Sequence, residues 1–203
     1  MEDVYLTLRK GGEAEIKVKG SRFLAEALPA ADEDAAEAAI AAIRKREYSA
    51  THHCTAYRIG PAADLFRFND DGEPSGTAGP PILRQIEARD LTNTLVVVTR
   101  YYGGTKLGTG GLIRTYGEAA SLALDAAPIQ QCILRDRLRL RFSYEDTSPA
   151  MHSISQFNAE IQETHYSEET EIVVGVRRSE VDGFVEMFTN ALGGRGIATR
   201  VSV

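Results

Sequence analysis

Val4, Leu6 and Leu8 alternate with polar neighbours, and Ile16 and Val18 do so again beyond Gly11-Gly12, which predicts two short strands joined by a turn. Residues 22–28 make a third strand-like run that ends at Pro29. The period then lengthens. Asp32 stands where an N-cap belongs, Glu33 and Glu37 suit the first turns, and Ile40 and Ile43 mark an apolar face. Arg44-Lys45-Arg46 closes that helix with cations opposing its dipole. Strand patterns return over 53–59 and 64–68, followed by a polar, glycine-rich loop over 69–79. Pro80-Pro81 opens a helix bearing Ile82, Leu83 and Ile86. The unbroken run Leu95-Val96-Val97-Val98 reads as a strand covered on both faces. It leads through a second glycine-rich segment, 103–111, into a long helix with Leu112, Tyr116, Ala119, Ala120, Ala123 and Leu124 on one side.

Beyond Pro128 the pattern is complete in itself. A strand is expected over 133–142, then a helix capped by Ser148 with Pro149 at its first position and Ile154, Phe157 and Ile161 inward. Strands follow near 161–166 and 172–178. Ser179-Glu180-Val181-Asp182 resembles a capping box for a helix that buries Val181, Phe184, Val185, Phe188 and Leu192, and residues 197–203 close the chain as a strand. The order β-α-β-β-α-β is the ferredoxin-like arrangement. The chain is therefore expected to be α+β, with two domains over 1–130 and 131–203, and its net charge of -6 divides evenly between them.

Composition narrows the class. With 43% hydrophobic and 26% charged residues, the 203-residue chain has the make-up of a globular protein and not of a disordered one. No stretch approaches the roughly 18 apolar residues of a membrane span. Met1-Glu2-Asp3-Val4 lacks the basic and apolar regions of a secretion signal, so a cytoplasmic location is expected. Two cysteines, Cys54 and Cys132, are too few for a disulfide framework.

Four features could carry chemistry. Asp70, Asp71 and Glu73 lie in a loop that could hold a cation or a partner, although the spacing is not that of an EF-hand; the alternative is a turn with solvated acids. His52 and Cys54 share one face of a strand, a possible functional pair, yet no second Cys/His cluster completes a zinc site and no metal is expected. The glycine-rich segment combines Gly103, Gly104, Gly108, Gly110 and Gly111 with Lys106, Arg100 and Arg114 and runs into a helix N-terminus, where free N–H groups attract anions. It matches neither the P-loop nor the dinucleotide fingerprint, so a tight strand-to-helix connection is the competing reading. Finally, Arg135, Arg137, Arg139 and Arg141 alternate with Leu134, Asp136, Leu138, Leu140 and Phe142, which sets all four on one sheet face, with Arg177 and Arg200 as candidates to join them. That face is either a phosphate-binding ladder or a solvated surface balanced by cross-strand acids.

The residues Gly79-Pro80-Pro81-Ile82-Leu83, Leu91 and the run Val97-Val98-Thr99-Arg100-Tyr101-Tyr102-Gly103-Gly104-Thr105-Lys106-Leu107-Gly108 resemble the signature of the IMPACT family, called YigZ in bacteria. The acidic loop and the His52-x-Cys54 pair resemble it too. The resemblance spans residues 15–128, and the second domain is similar to the bacterial C-terminal extension. It implies a first domain folded like the second domain of a small-subunit ribosomal protein, a GHMP-kinase-like α/β sandwich. It implies a second domain similar to the C-terminal domain of elongation factor G. Eukaryotic relatives regulate translation by competing for an activator of a stress-responsive kinase, using an additional N-terminal domain that is not expected here.

The leading expectation is a non-enzymatic regulator of translation, without cofactor, that contacts RNA or the ribosome through the glycine loop and the basic sheet face. An enzyme acting on a phosphorylated small molecule or nucleotide through that loop is the alternative, and a protein-interaction module using the acidic loop is a third. Possible partners are RNA, the ribosome or a protein of the translation machinery, with no membrane contact.

Overall fold

The computed structural model describes residues 3–201. It divides into two compact α+β units, one over residues 5–132 and the other over 133–201 together with 3–4. The division lies two residues beyond the expected cut after 130, and the chain's beginning goes with the second unit. The reason is local: Leu134 N–H donates to the Asp3 carbonyl at 2.7 Å, and Ser179 N–H donates to the Asp3 carboxylate at 2.9 Å.

The first unit holds β1 (Val4–Leu8, apart from Val4), β2 (Gly12–Val18), β3 (Ser21–Pro29), α1 (Glu33–Arg46), β4 (His52–Ile59), β5 (Leu65–Asn69), α2 (Gly79–Glu87), β6 (Thr94–Tyr101), α3 (Thr109–Ala126) and β7 (Ile129–Ile133, apart from Ile133). Strands β2-β3-β6-β4-β5 form one antiparallel sheet. Its central strand β6 is buried from Thr94 to Arg100, as the apolar run predicts. Val96 and Val98 pack with Ile82 of α2 and Tyr116 of α3, while Leu95 and Val97 pack with Ile40 and Ile43 of α1 on the opposite face. The two periods, two in β6 and about 3.6 in the helices, thus build a three-layer unit. Asp32 caps α1, its carboxylate accepting from Ala35 N–H at 2.8 Å.

The first turn differs from expectation. Strand β1 does not pair with β2 but forms a two-stranded ribbon with β7. Gly12 serves close packing instead: a Cβ there would fall 2.4 Å from the Ala123 carbonyl of α3. The hairpin turn is Lys19-Gly20, both with positive φ (47° and 81°), which joins β2 to β3 in the twist that a two-residue hairpin requires.

The second unit runs β8 (Arg135–Phe142), α4 (Thr147–Gln156), β9 (Glu160–Tyr166), β10 (Thr170–Arg177), α5 (Val181–Ala191) and β11 (Ile197–Arg200), with sheet order β11-β8-β10-β9 and antiparallel neighbours throughout. Leu138, Leu140 and Phe142 meet Phe184 and Phe188 in its core. The strand expected over 133–142 breaks at Leu134, between β7 and β8. Ser148 does not cap α4; Asp146 precedes that helix, and Arg195 holds its carboxylate at 2.6 Å and well below the usual carboxylate range. No capping box forms at Ser179, because the Asp3 carboxylate takes its N–H. Ile161 points outward, 46% exposed. Residues 202 and 203, the end of the last expected strand, lie outside the described residues. No described helix is long and apolar enough to cross a membrane.

Candidate anion site and the buried network beneath it

The acidic loop between β5 and α2 is folded inward, and each of its three carboxylates is engaged within the fold. Asp70 accepts from Gly76 N–H at 2.7 Å and from Ala78 and Gly79 N–H at 2.9 Å each, so it caps α2 from nine residues away. Asp71 accepts from Arg44 of α1 at 2.7 Å and from His53 N–H at 2.6 Å. Glu73 is buried, and its Oε1 accepts from Arg100 at 2.5 Å and from the Tyr116 hydroxyl at 2.7 Å. The expected cation or partner loop is thus a tie between α1, α2, α3 and β6, with no carboxylate left to offer an outside cation. Buried charges demand partners, and this geometry supplies them.

His52 and Cys54 do lie on one face of β4, facing that tie. His52 Nδ1 donates to the Asp71 carbonyl at 2.8 Å, and its Nε2 faces Glu73 at 3.9 Å. Cys54 is fully buried, its thiol donates to the Asp70 carbonyl at 3.1 Å, and burial pushes its pKa far up. A thiolate nucleophile needs the opposite environment. The pair therefore clamps the loop to the sheet, and a Cys–His nucleophile is not what the geometry builds.

Arg100, expected to serve an anion on the glycine loop, instead turns into the interior. Besides Glu73 it donates to Ser21 Oγ at 3.3 Å, and its guanidinium lies within cation–π range of Phe23 (5.3 Å) and Tyr102 (5.4 Å). Its Nε has no hydrogen-bond partner among the described residues. Ser21 also accepts from Gly103 N–H at 3.1 Å. The same hydroxyl thus links the buried pair to the first residue of the glycine loop.

The loop itself is anchored at that first residue and open beyond it. A Cβ at Gly103 would lie 1.9 Å from the Gly20 carbonyl carbon, so only glycine allows the hairpin tip and the loop to touch. Gly104 and Gly108 have φ of 85° and 75° and face open space. Gly110 and Gly111 form the first turn of α3, which has no side-chain cap and so leaves its first N–H groups unclaimed. Lys106 is exposed, and the Arg114 guanidinium reaches back to within 3.6 Å of the Cβ position at Gly110. Neither has a carboxylate partner among the described residues. The chain has no Asp or Glu between Asp90 and Glu118. Positive charge, open backbone donors and a helix N-terminus converge here, as an anion requires.

In the second unit the four arginines do share one sheet face, but each meets a carboxylate. Arg135 pairs with Glu160 (2.9 Å), Arg137 with Glu163 (2.7 Å), Arg139 with Glu171 (3.3 Å) and Arg141 with Glu169 (3.3 Å). Arg177 lies opposite Arg135 on the same face, whereas Arg200 lies opposite the buried Leu138 and reaches Asp182 at 3.4 Å. A phosphate would have to displace these partners. Sequence reasoning missed Ser21, Tyr102 and Tyr116. Tyr102 lay inside the signature and Tyr116 on the apolar side of the helix after it, each without an assigned role, while Ser21 carried no signal, because only the fold brings it across from β3.

Fold and site together define a two-domain α+β protein in which an exposed glycine-rich connection sits over a buried carboxylate–guanidinium tie. Residues 19–124 match the Impact N-terminal domain, and residues 140–195 match a domain of unknown function (DUF1949). The chain belongs to the IMPACT family. It is 37% identical over 191 residues to "IMPACT family member YvyE" of Bacillus subtilis, covering 94% of this chain and 88% of that one. "Protein IMPACT" of Oryctolagus cuniculus is 44% identical over 66 residues, which take in 32% of this chain and 20% of that protein. A solved structure titled "Crystal structure of an hypothetical protein" superposes with a TM-score of 0.75 at 27% identity, covering 100% of this chain and 99% of that one.

Proposed function

We propose that this protein is a non-enzymatic regulator of translation that contacts RNA, free or within the ribosome, through the glycine-rich loop of its first unit. The observation that carries the reading is the exposed, uncapped start of α3 beside Lys106 and Arg114, in a stretch free of acidic residues. Phosphates of a nucleic-acid backbone are the anions such a surface meets most often in the translation machinery, and their binding is sequence-tolerant. The family resemblance to eukaryotic translation regulators, the ribosomal-protein-like reading of the first unit and the elongation-factor-like reading of the second support the same setting, by fold analogy. The arginines of the second unit carry less of the reading, because each already meets a carboxylate.

Catalysis is the weaker reading. The groups that could act as base or nucleophile near the loop are buried and engaged: Cys54 and Tyr116 are both pushed far above their ordinary pKa by burial, and Glu73 is ion-paired. Fluorescence anisotropy with a single-stranded RNA, titrated with salt, tests the proposal. Affinity should fall on a log–log plot with a slope of roughly two for two to three phosphate contacts, and Lys106→Ala should lower that slope by about one. Gly103→Ala, whose Cβ would lie 1.9 Å from the Gly20 carbonyl carbon, should bind more weakly than the parent. Absence of RNA binding at low salt would refute the reading, as would steady ATP turnover that Lys106→Ala abolishes.

A further inference from the structure

The anion surface explains the glycines and the cations, but not the aromatic residue that stands among them. Tyr102 follows the last residue of β6 and is 46% exposed, whereas the side chains of β6 up to Arg100 are buried. Its position is nonetheless fixed. Its backbone N–H donates to Thr51 Oγ1 at 3.1 Å, and the Arg100 guanidinium lies 5.4 Å from its ring centroid. Arg100 in turn is 4% exposed, is held by Glu73 and Ser21, and keeps an unpartnered Nε. What sets Tyr102 apart from the chain's other exposed tyrosines is this backing: a half-exposed phenol ring lies in cation–π range of a rigid, buried guanidinium.

The neighbours of the ring say what it would meet. Gly103 follows it directly and touches the Lys19-Gly20 hairpin tip, so the exposed Lys19 stands beside the loop that carries the exposed Lys106. Lys19 occupies a position with φ of 47°, where asparagine or glycine would be less strained. A flat ring beside backbone donors and lysines is the composition of a single-strand platform: bases stack on the ring and phosphates run along the cations.

We infer that Tyr102 is a base-stacking platform for single-stranded RNA, with Arg100 as the positioning residue behind it and the 103–111 loop taking the adjoining phosphate. The inference rests on the proposed RNA contact and adds to it that unpaired bases, not only phosphates, are bound. It therefore excludes fully paired duplex as the preferred ligand, since stacked bases in a helix offer no free face.

The test separates the two readings. Anisotropy is measured with an oligouridine of about ten nucleotides, within the site size of single-strand binders, and with an abasic ribose-phosphate oligomer of the same length and charge. The parent should prefer oligouridine by about tenfold, the effect of one stacked base. Tyr102→Ala should lose that preference and bind both oligomers alike; Tyr102→Phe should keep it; Tyr102→Leu, which preserves apolar bulk without a π face, should lose it. Lys106→Ala should weaken both oligomers by the same factor. Equal binding of both oligomers by the parent, or a preference that survives in Tyr102→Ala and Tyr102→Leu, overturns the stacking role and leaves the phosphate contact standing. Binding of neither oligomer overturns both.

Discussion

Removing the Glu73 carboxylate is the sharpest perturbation of the first unit. Both side chains of the Glu73–Arg100 pair are about 95% buried, with 4% and 5% exposure, and one oxygen of Glu73 serves Arg100 and Tyr116 together. Glu73→Ala leaves a buried guanidinium without a counter-charge, a loss of about 3–5 kcal/mol. It also leaves the Tyr116 hydroxyl unbonded in the core, a further cost of about 1–3 kcal/mol that is not simply additive. A net loss of about 4 kcal/mol is a large share of the roughly 5–15 kcal/mol by which domains are stable. At about 3–5 °C per kcal/mol for a unit of this size, the melting transition should drop by roughly 12–20 °C. Glu73→Gln keeps both hydrogen bonds without the charge and should lose about half as much. Calorimetry of the full chain is the assay. The double variant Glu73→Gln/Arg100→Met, which removes both charges, should be more stable than the sum of its parts by about 1–3 kcal/mol. A Glu73→Ala transition within about 3 °C of the parent's, which corresponds to under 1 kcal/mol, would refute the idea that this pair is desolvated.

Three further outcomes are expected. Asp70→Ala removes the carboxylate that takes three N–H groups at the start of α2 and should destabilise the first unit by about 1–2 kcal/mol, read as a lower urea midpoint at unchanged slope. Cys54 should resist iodoacetamide in the folded chain while the half-buried Cys132 reacts, with mass spectrometry locating the label; rapid labelling of Cys54 would contradict its burial. Burial lowers the His53 pKa from its ordinary 6.5, so the unfolded chain takes up that proton more readily than the folded one, and stability should fall as pH drops below that value. His53→Gln should flatten the change in melting temperature between about pH 7.5 and about pH 5.5.

The architecture was written plainly in the chain. The continuous run at 95–98 signalled a strand covered twice, Asp32 signalled a cap, and the alternation of Arg135 to Arg141 put four cations on one face, because period and capping are local properties. What failed to show was the partner of each local feature. Gly11-Gly12 looks like a hairpin turn, yet the pairing of β1 with β7 is decided by contacts more than a hundred residues apart. Ser179 has the residues around it for a capping box, but Asp3 arrives from the other end of the chain and takes its N–H first. The carboxylates that meet the arginine ladder were hidden in the same way, since Glu160 and Glu163 come from β9, Glu171 from β10 and Glu169 from the turn between them, which periodicity alone does not align.

The acidic loop shows why such partners matter for function as well as fold. Read in sequence, Asp70, Asp71 and Glu73 are three exposed acids in a flexible, glycine-rich segment, and the glycine loop thirty residues on is a separate feature. In three dimensions Glu73 fixes Arg100, Arg100 backs Tyr102 and shares Ser21 with Gly103, and Gly103 sets the start of the exposed loop. The first loop is therefore the foundation of the second. Charge removed at Glu73 should be felt at the surface: a Glu73→Gln chain that still folds should bind oligouridine more weakly than the parent, because Arg100, hydrogen-bonded to a neutral amide in place of a carboxylate, is held less firmly behind the ring. If Glu73→Gln loses stability yet keeps full affinity and full preference over the abasic oligomer, the buried tie is a feature of the core alone and the surface above it is set independently.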